Sequence, residues 1–237
     1  MNATDQQQTP QYGKRLLVNI VDERAKREPD REWVSIPNSS EPRDGWRKIT
    51  YRQAANAINR IAHKLVESSG LPAKGSFPTV AYIGPSDARY LVFTLGAVKA
   101  GYRALFVSPR NSQEGQLNIF EKTDCRIIWF DQTYKDMVQP WLQERDMQAL
   151  VAPPVSAWFP EEDIEPYPYN KTFEEAEWDP LVVLHTSGST GLPKPVVVRQ
   201  GMLVIADKYH THGEWKGTRF WLDEMSRRSK RILNPSE

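Results

Sequence analysis

The sequence predicts an α/β fold, a mainly parallel sheet flanked by helices, and two observations carry that expectation. Over residues 79–151 short apolar runs alternate with stretches of helical spacing. That rhythm belongs to strand–helix–strand units, whose strands pair in parallel and whose crossovers are right-handed. The composition supplies the material for a core: 237 residues, 39% hydrophobic and 26% charged, close to ordinary globular usage.

Each element can be justified in order. Residues 1–11 are polar and glutamine-rich, with neither the apolar centre nor the Arg-rich amphipathic pattern of a targeting segment; residues 1–15 are expected to form a disordered tail. Leu16, Leu17, Ile20, Val21 and Ala25 recur at helical spacing, and Pro29 ends that helix. Residues 33–36 and 46–49 read as strands joined by a turn-rich loop. Thr50 followed by Gln53 is a capping box. The helix it opens carries Tyr51, Ala54, Ala55, Ile58, Ile61, Ala62 and Leu65 on one face and closes at Gly70, with Pro72 beyond.

Residues 79–83 are a strand, Ser86 or Asp87 opens a helix capped by Gly101, and residues 103–107 are the next strand. Ser112 caps a further helix with Leu117 and Phe120 inward. Strand 126–130, helix 133–145 and strand 148–151 continue the alternation. Residues 152–179 break it with prolines, an acidic run (Glu161, Glu162, Asp163, Glu165) and interleaved Trp158, Phe159, Tyr167 and Tyr169. This reads as an extended connector lying over the sheet, because its aromatic rings need a surface to bury against; the acidic run reads as a solvated face. Residues 200–209 and 218–233 are expected helices, the latter ending in a basic run that suits its dipole.

The stretch around which these elements are organised is Leu184-His185-Thr186-Ser187-Gly188-Ser189-Thr190-Gly191-Leu192-Pro193-Lys194-Pro195. Aliphatic runs flank it on both sides. Between them lie four hydroxyl side chains (Thr186, Ser187, Ser189, Thr190), Gly188 and Gly191, and the ammonium of Lys194. Glycines let a turn aim successive N–H groups to one side, which makes an anion-binding concavity. None of these groups attacks or abstracts; all can hold phosphate oxygens. The spacing excludes a P-loop, since only two residues separate Gly188 from Gly191 and the stretch runs into a strand.

From Thr186 to Lys194 the chain matches Thr-Ser-Gly-Ser/Thr-Thr-Gly-x-Pro-Lys throughout, and so resembles the phosphate-binding signature of the adenylate-forming (AMP-binding) superfamily. Pro195, where most members carry glycine, is similar to the fungal synthetase-like adenylate-forming reductases. Residues 49–65 and 95–109 resemble two earlier elements of the same pattern, in the same order. The resemblance implies an incomplete N-terminal part of an adenylation domain over residues 16–237. It implies ATP and Mg²⁺ as cofactors, held by Thr186, Ser187, Gly188, Ser189, Thr190, Gly191 and Lys194, and a carboxylic acid activated as its adenylate in secondary metabolism. No residue of this stretch is assigned a role in the chemical step.

The family's adenine-side and ribose-binding elements are not found in the sequence, and neither is a reductase Gly-x-Gly-x-x-Gly fingerprint. The chain is therefore expected to be a truncated piece, inert alone and associating with a polypeptide that completes the fold. A net charge of +1 gives no electrostatic case for nucleic acid or a membrane surface. The single cysteine, Cys125, precludes an internal disulfide framework and suits the cytoplasm. Its position reads as a small semi-buried thiol. His63, His185, His210 and His212 are not spaced as metal ligands with cysteine or carboxylate partners.

Overall fold

The computed structural model describes residues 12–39, 41–186 and 191–208. Helix α1 (Leu17–Arg27) buries Val18 and Val21. An antiparallel ribbon follows, β1 (Glu32–Pro37) with β2 (Trp46–Thr50). Thr50 ends that ribbon and caps α2 (Tyr51–Ser69): its hydroxyl accepts the Gln53 N–H while the Gln53 side chain accepts the Thr50 N–H. Two otherwise orphaned amides are paired there, which is why the helix starts where the sequence says it should.

The alternating region then delivers β3 (Thr79–Ile83), α3 (Arg89–Ala100), β4 (Arg103–Phe106), α4 (Gln113–Lys122), β5 (Ile127–Asp131), α5 (Lys135–Glu144) and β6 (Gln148–Ala152). Gly101 closes α3 at φ 81°, in the left-handed region. After the connector come the short α6 (Phe173–Ala176), β7 (Pro180–His185), β8 (Pro195–Arg199) and α7 (Val204–Lys208). Among the described residues the main sheet runs β6-β5-β3-β4-β7-β8, parallel at every neighbouring pair except β7–β8. The expected parallel sheet is present, closed at one side by an antiparallel edge strand.

Helices cover both faces. Val80 and Tyr82 of β3 pack with α1, α2 and α3, whereas Ala81 and Ile83 face α4 and α5. All five residues of β3 are buried, as a parallel strand covered on two sides requires. The α2 and α3 axes approach closely at Gly96, where an added Cβ would stand 2.6 Å from Ile61 Cγ2. Lys99, almost fully buried, is held by Asp22 at 2.7 Å and by Asn59 at 2.7 Å. Burial lowers its pKa, and the Asp22 carboxylate opposes that. No helix among the described residues is long and apolar enough to cross a membrane.

Several expectations need correction. Helix α3 begins at Arg89, not at residue 86 or 87, because the Asp87 carboxylate takes both the Arg89 N–H (2.9 Å) and its guanidinium. The helix expected over 133–145 opens with a 3-10 turn at Gln132–Tyr134, where Asp131 accepts the Thr133 N–H. The helix expected from residue 200 likewise begins as a 3-10 turn, Gln200–Leu203, with the Gly201 N–H bonded to the Glu177 carbonyl at 2.8 Å. Cys125 is wholly buried rather than semi-buried.

The connector departs most. Only part of it reaches the sheet, where Trp158 meets Tyr82 edge-on. Its acidic stretch instead runs along α2. Asn56 donates to the Glu162 carbonyl (3.0 Å) and accepts the Ile164 N–H (3.3 Å), Asn59 accepts the Tyr167 N–H (3.2 Å), and His63 bonds the Glu165 carbonyl (3.0 Å). Asn56 and Asn59 are buried. An extended strand without ladder partners must bury its backbone against polar side chains, and these two supply them.

Of the tail, residues 1–11 lie outside the described residues, while the Gly13 N–H and the Arg15 guanidinium bond the Asp207 carboxylate on α7. The expected helix over 218–233, the basic run within it, His210 and His212 also lie outside the described residues.

Candidate phosphate-binding loop

The β7–β8 pair is a hairpin whose register runs from Pro180 opposite Arg199 to His185 opposite Pro195. One further pair closes it. The Thr186 N–H donates to the Lys194 carbonyl at 3.1 Å, and the Lys194 N–H donates to Thr186 Oγ1 at 3.2 Å. Oγ1 accepts there, and the hydroxyl keeps its own proton as a donor. Thr186 and the Lys194 side chain are both exposed. Gly191 has φ 156°, which side-chain-bearing residues rarely adopt, so backbone geometry makes glycine the fitting residue there.

Of the seven residues expected to hold phosphate, the structure therefore places Thr186, Gly191 and Lys194 at the neck of one loop. Ser187, Gly188, Ser189 and Thr190 lie outside the described residues. β7 lies parallel to β4, so the loop leaves the carboxyl end of the parallel strands, where open α/β sheets bind ligands.

Segment 108–118, comprising the turn after β4 and the first part of α4, braces the loop. Ser112 caps α4 by accepting the Gly115 N–H. Gly115 packs against Pro193: an added Cβ would stand 3.1 Å from Pro193 Cδ. One turn on, Asn118 donates to the Pro193 carbonyl at 2.9 Å. At the other end of the loop, His185 Nε2 accepts the Ser108 N–H at 3.0 Å, with Asn111 Nδ2 at 3.4 Å, while His185 Nδ1 lies 3.1 Å from the Thr186 carbonyl. The sequence alone gives His185 and Ser108 no role as partners of the loop, and it does not mark Asn111 or Asn118 at all. No local pattern marks them, because their partners lie 74 to 77 residues away.

Charge around the loop is uneven. Glu114, Glu121 and Glu144 line a shallow cavity of about 550 Å³ beside Leu192, so a phosphate ligand would approach from elsewhere. A larger cavity of about 850 Å³, lined by Arg60, Lys64, Trp129, Leu150 and Trp158, lies at the β5–β6 side of the sheet, away from the loop. The donor set at the neck, a hydroxyl and an ammonium, is of a kind that can hold phosphate oxygens. Among the described residues no group of three or more His, Cys, Asp or Glu side chains could hold a metal ion, and Mg²⁺ ordinarily keeps its waters and binds through substrate phosphates instead.

The pattern of the AMP-binding enzyme family matches residues 21–231, and the chain belongs to that family. It is 62% identical over 231 residues to a carboxylic acid reductase of Neurospora crassa, a match that covers 97% of this chain and 22% of the relative. It is 24% identical to the adenylate-forming reductase Nps10 of Heterobasidion annosum, over 86% of this chain and 20% of that protein. Among solved structures, the fatty acyl-adenylate ligase of L. pneumophila in complex with acyl adenylate and pyrophosphate superposes with a TM-score of 0.61 at 19% identity, over 85% of this chain and 33% of that one. The chain thus spans about a fifth of the length of the curated reductases it matches, corresponding to part of an adenylate-forming fold.

Proposed function

We propose that this chain supplies the phosphate-gripping part of a domain that activates a carboxylic acid with ATP, in a reductase or synthetase of cytoplasmic secondary metabolism. The observation that supports this reading is the loop at the carboxyl end of β7, with an exposed Thr186 hydroxyl and Lys194 ammonium at its neck. Family membership and the names of the two reductases point the same way.

In the reaction, a carboxylate oxygen bonds to the α-phosphorus of ATP, the bond from that phosphorus to the bridging oxygen breaks, and pyrophosphate leaves. Charge builds on the departing phosphates. Lys194, Thr186 and the assigned Ser187, Gly188, Ser189, Thr190 and Gly191 would bind and orient them, which is the positioning and electrostatic part of catalysis. Mg²⁺ would supply charge neutralisation and would arrive with the nucleotide.

Calorimetric titration with ATP in the presence of Mg²⁺, compared with AMP, tests the reading. Binding that needs the β- and γ-phosphates, and that weakens in Lys194→Ala, is the expected result; equal affinity of the two proteins sinks it. Carboxylate-dependent ATP–pyrophosphate exchange tests turnover in the same preparation.

A second reading is favoured by exposed apolar side chains at the end of the connector and beyond it: Trp178, Met202 and Ile205 are 70%, 57% and 64% exposed. Apolar side chains grouped on a surface mark an interaction face. On this reading the chain binds phosphate but performs no exchange until a further polypeptide completes the fold. Exchange by the chain alone would remove it.

A further inference from the structure

We propose that His185 is a positioning residue: as the neutral Nδ1–H tautomer it clasps the leading end of the loop to the turn after β4. The inference rests on the phosphate-binding reading and adds to it a residue outside the signature.

The tautomer follows from the partners. A backbone N–H can only donate, so the Ser108 amide at 3.0 Å requires a lone pair on His185 Nε2. The ring proton then sits on Nδ1, 3.1 Å from the Thr186 carbonyl, which accepts it. Asn111 Nδ2 reinforces the contact at 3.4 Å. The Thr186 carbonyl is thereby fixed at the point where the chain leaves β7. A trans peptide is planar, so fixing this carbonyl fixes the plane of the peptide that leads into the loop.

The trailing end is fixed from the same segment. Asn118 holds the Pro193 carbonyl, Gly115 lies against the Pro193 ring, and the Lys194 N–H returns to Thr186 Oγ1. Segment 108–118 therefore grips both ends of a loop whose job is to aim donors. Preorganised donors bind a developing or standing anion without the cost of ordering them at the moment of binding. An imidazolium cannot serve at His185, because its Nε2 would present a proton to the Ser108 N–H.

Two measurements decide the matter. In the ligand-free wild-type chain, nitrogen-15 shifts of the His185 ring should show Nδ1 protonated and Nε2 bare at mildly alkaline pH, with a slowly exchanging Ser108 amide. An Nε2–H tautomer, or a fast-exchanging Ser108 amide, overturns the clasp. Titration with inorganic tripolyphosphate should then show His185→Phe, which keeps the ring shape but has no acceptor, weakened by about tenfold or more. His185→Gln, whose carbonyl reaches the Ser108 amide, should bind within about threefold of wild type. Equal affinities for wild type and a folded His185→Phe, or a Gln variant as weak as Phe, overturn the positioning role. If His185→Phe does not fold, the Gln variant and the ring shifts carry the decision. Absence of tripolyphosphate binding by the wild-type chain overturns the phosphate reading rather than the clasp, which the tautomer and the Ser108 amide then decide.

Discussion

Asn118 on α4 donates its side-chain amide to the carbonyl of Pro193, 75 residues further along the chain, at 2.9 Å. Pro193 is buried, so a lost donor leaves that oxygen without water to replace it. Asn118→Ala is expected to lower stability by about 1–2 kcal/mol. Asn118→Asp, which preserves size but aims a carboxylate at a carbonyl, is expected to cost more. Urea denaturation of the two variants gives the order, and an Asn118→Ala variant as stable as wild type would show that the bond contributes nothing.

Gly96 sets the distance between α2 and α3. An alanine there would gain about 1 kcal/mol of helix propensity. Its Cβ, however, would stand 2.6 and 2.7 Å from Ile61 carbons and 3.1 Å from the Ile58 carbonyl. Overpacking of that kind costs about 1–3 kcal/mol, so a net loss is expected for Gly96→Ala. Trimming the neighbour should relieve it. The double variant Gly96→Ala, Ile61→Ala should be more stable than the two single losses added together, and strict additivity would refute the crowding.

Arg89, 3% exposed, pairs with Asp87 at 2.8 Å and Asp131 at 2.7 Å at the carboxyl ends of β3 and β5. Burial alone would raise the Asp131 pKa, but hydrogen bonds from Thr133 and Arg89 outweigh it and the net shift is downward. Folded protein thus binds this proton less readily than unfolded chain. The stabilisation is complete above the ordinary carboxylate range and is lost as pH falls through the lowered folded value. Asp131→Asn should reduce stability at neutral pH and flatten its decline in acid. Arg89→Met, which strands two carboxylates, should cost about 3 kcal/mol. Unfolding free energies measured from pH 7 down to 3 test both.

Cys125 is buried at the foot of β5, and burial pushes its thiol up to about 12. Only the thiolate reacts readily. A maleimide should therefore label the native protein at the rate of global unfolding, and fast labelling under native conditions would contradict this packing.

What the sequence revealed follows from how local each signal is. Thr50 with Gln53, Ser112 with Gly115, and Gly101 define helix ends through partners within three or four residues, so those boundaries are readable from spacing alone. The largely apolar run 79–83 announces a doubly covered strand for the same reason. Partnerships across the chain leave no such mark. Asn56 and Asn59 interrupt the apolar face of α2 without local cause; the connector more than a hundred residues later explains both, and Lys99, forty residues on, also draws on Asn59. His185 is equally silent. Its neighbours in sequence spell a phosphate loop, while its function depends on Ser108 and Asn111, which only the β4–β7 pairing brings alongside.

The polar rail on α2 also bears on how this chain can change length. Asn56, Asn59 and His63 sit one helical turn apart and grip the backbone at Glu162, Ile164, Glu165 and Tyr167. Inserting or deleting a residue between positions 162 and 167 would slip the connector against fixed teeth and strand a buried asparagine. Beyond Tyr169, in the bend leading to α6, Asn19 donates to the Lys171 carbonyl at 3.3 Å and Lys171 pairs with Asp179, so the hold continues there. Related chains should therefore stay rigidly in step along the rail.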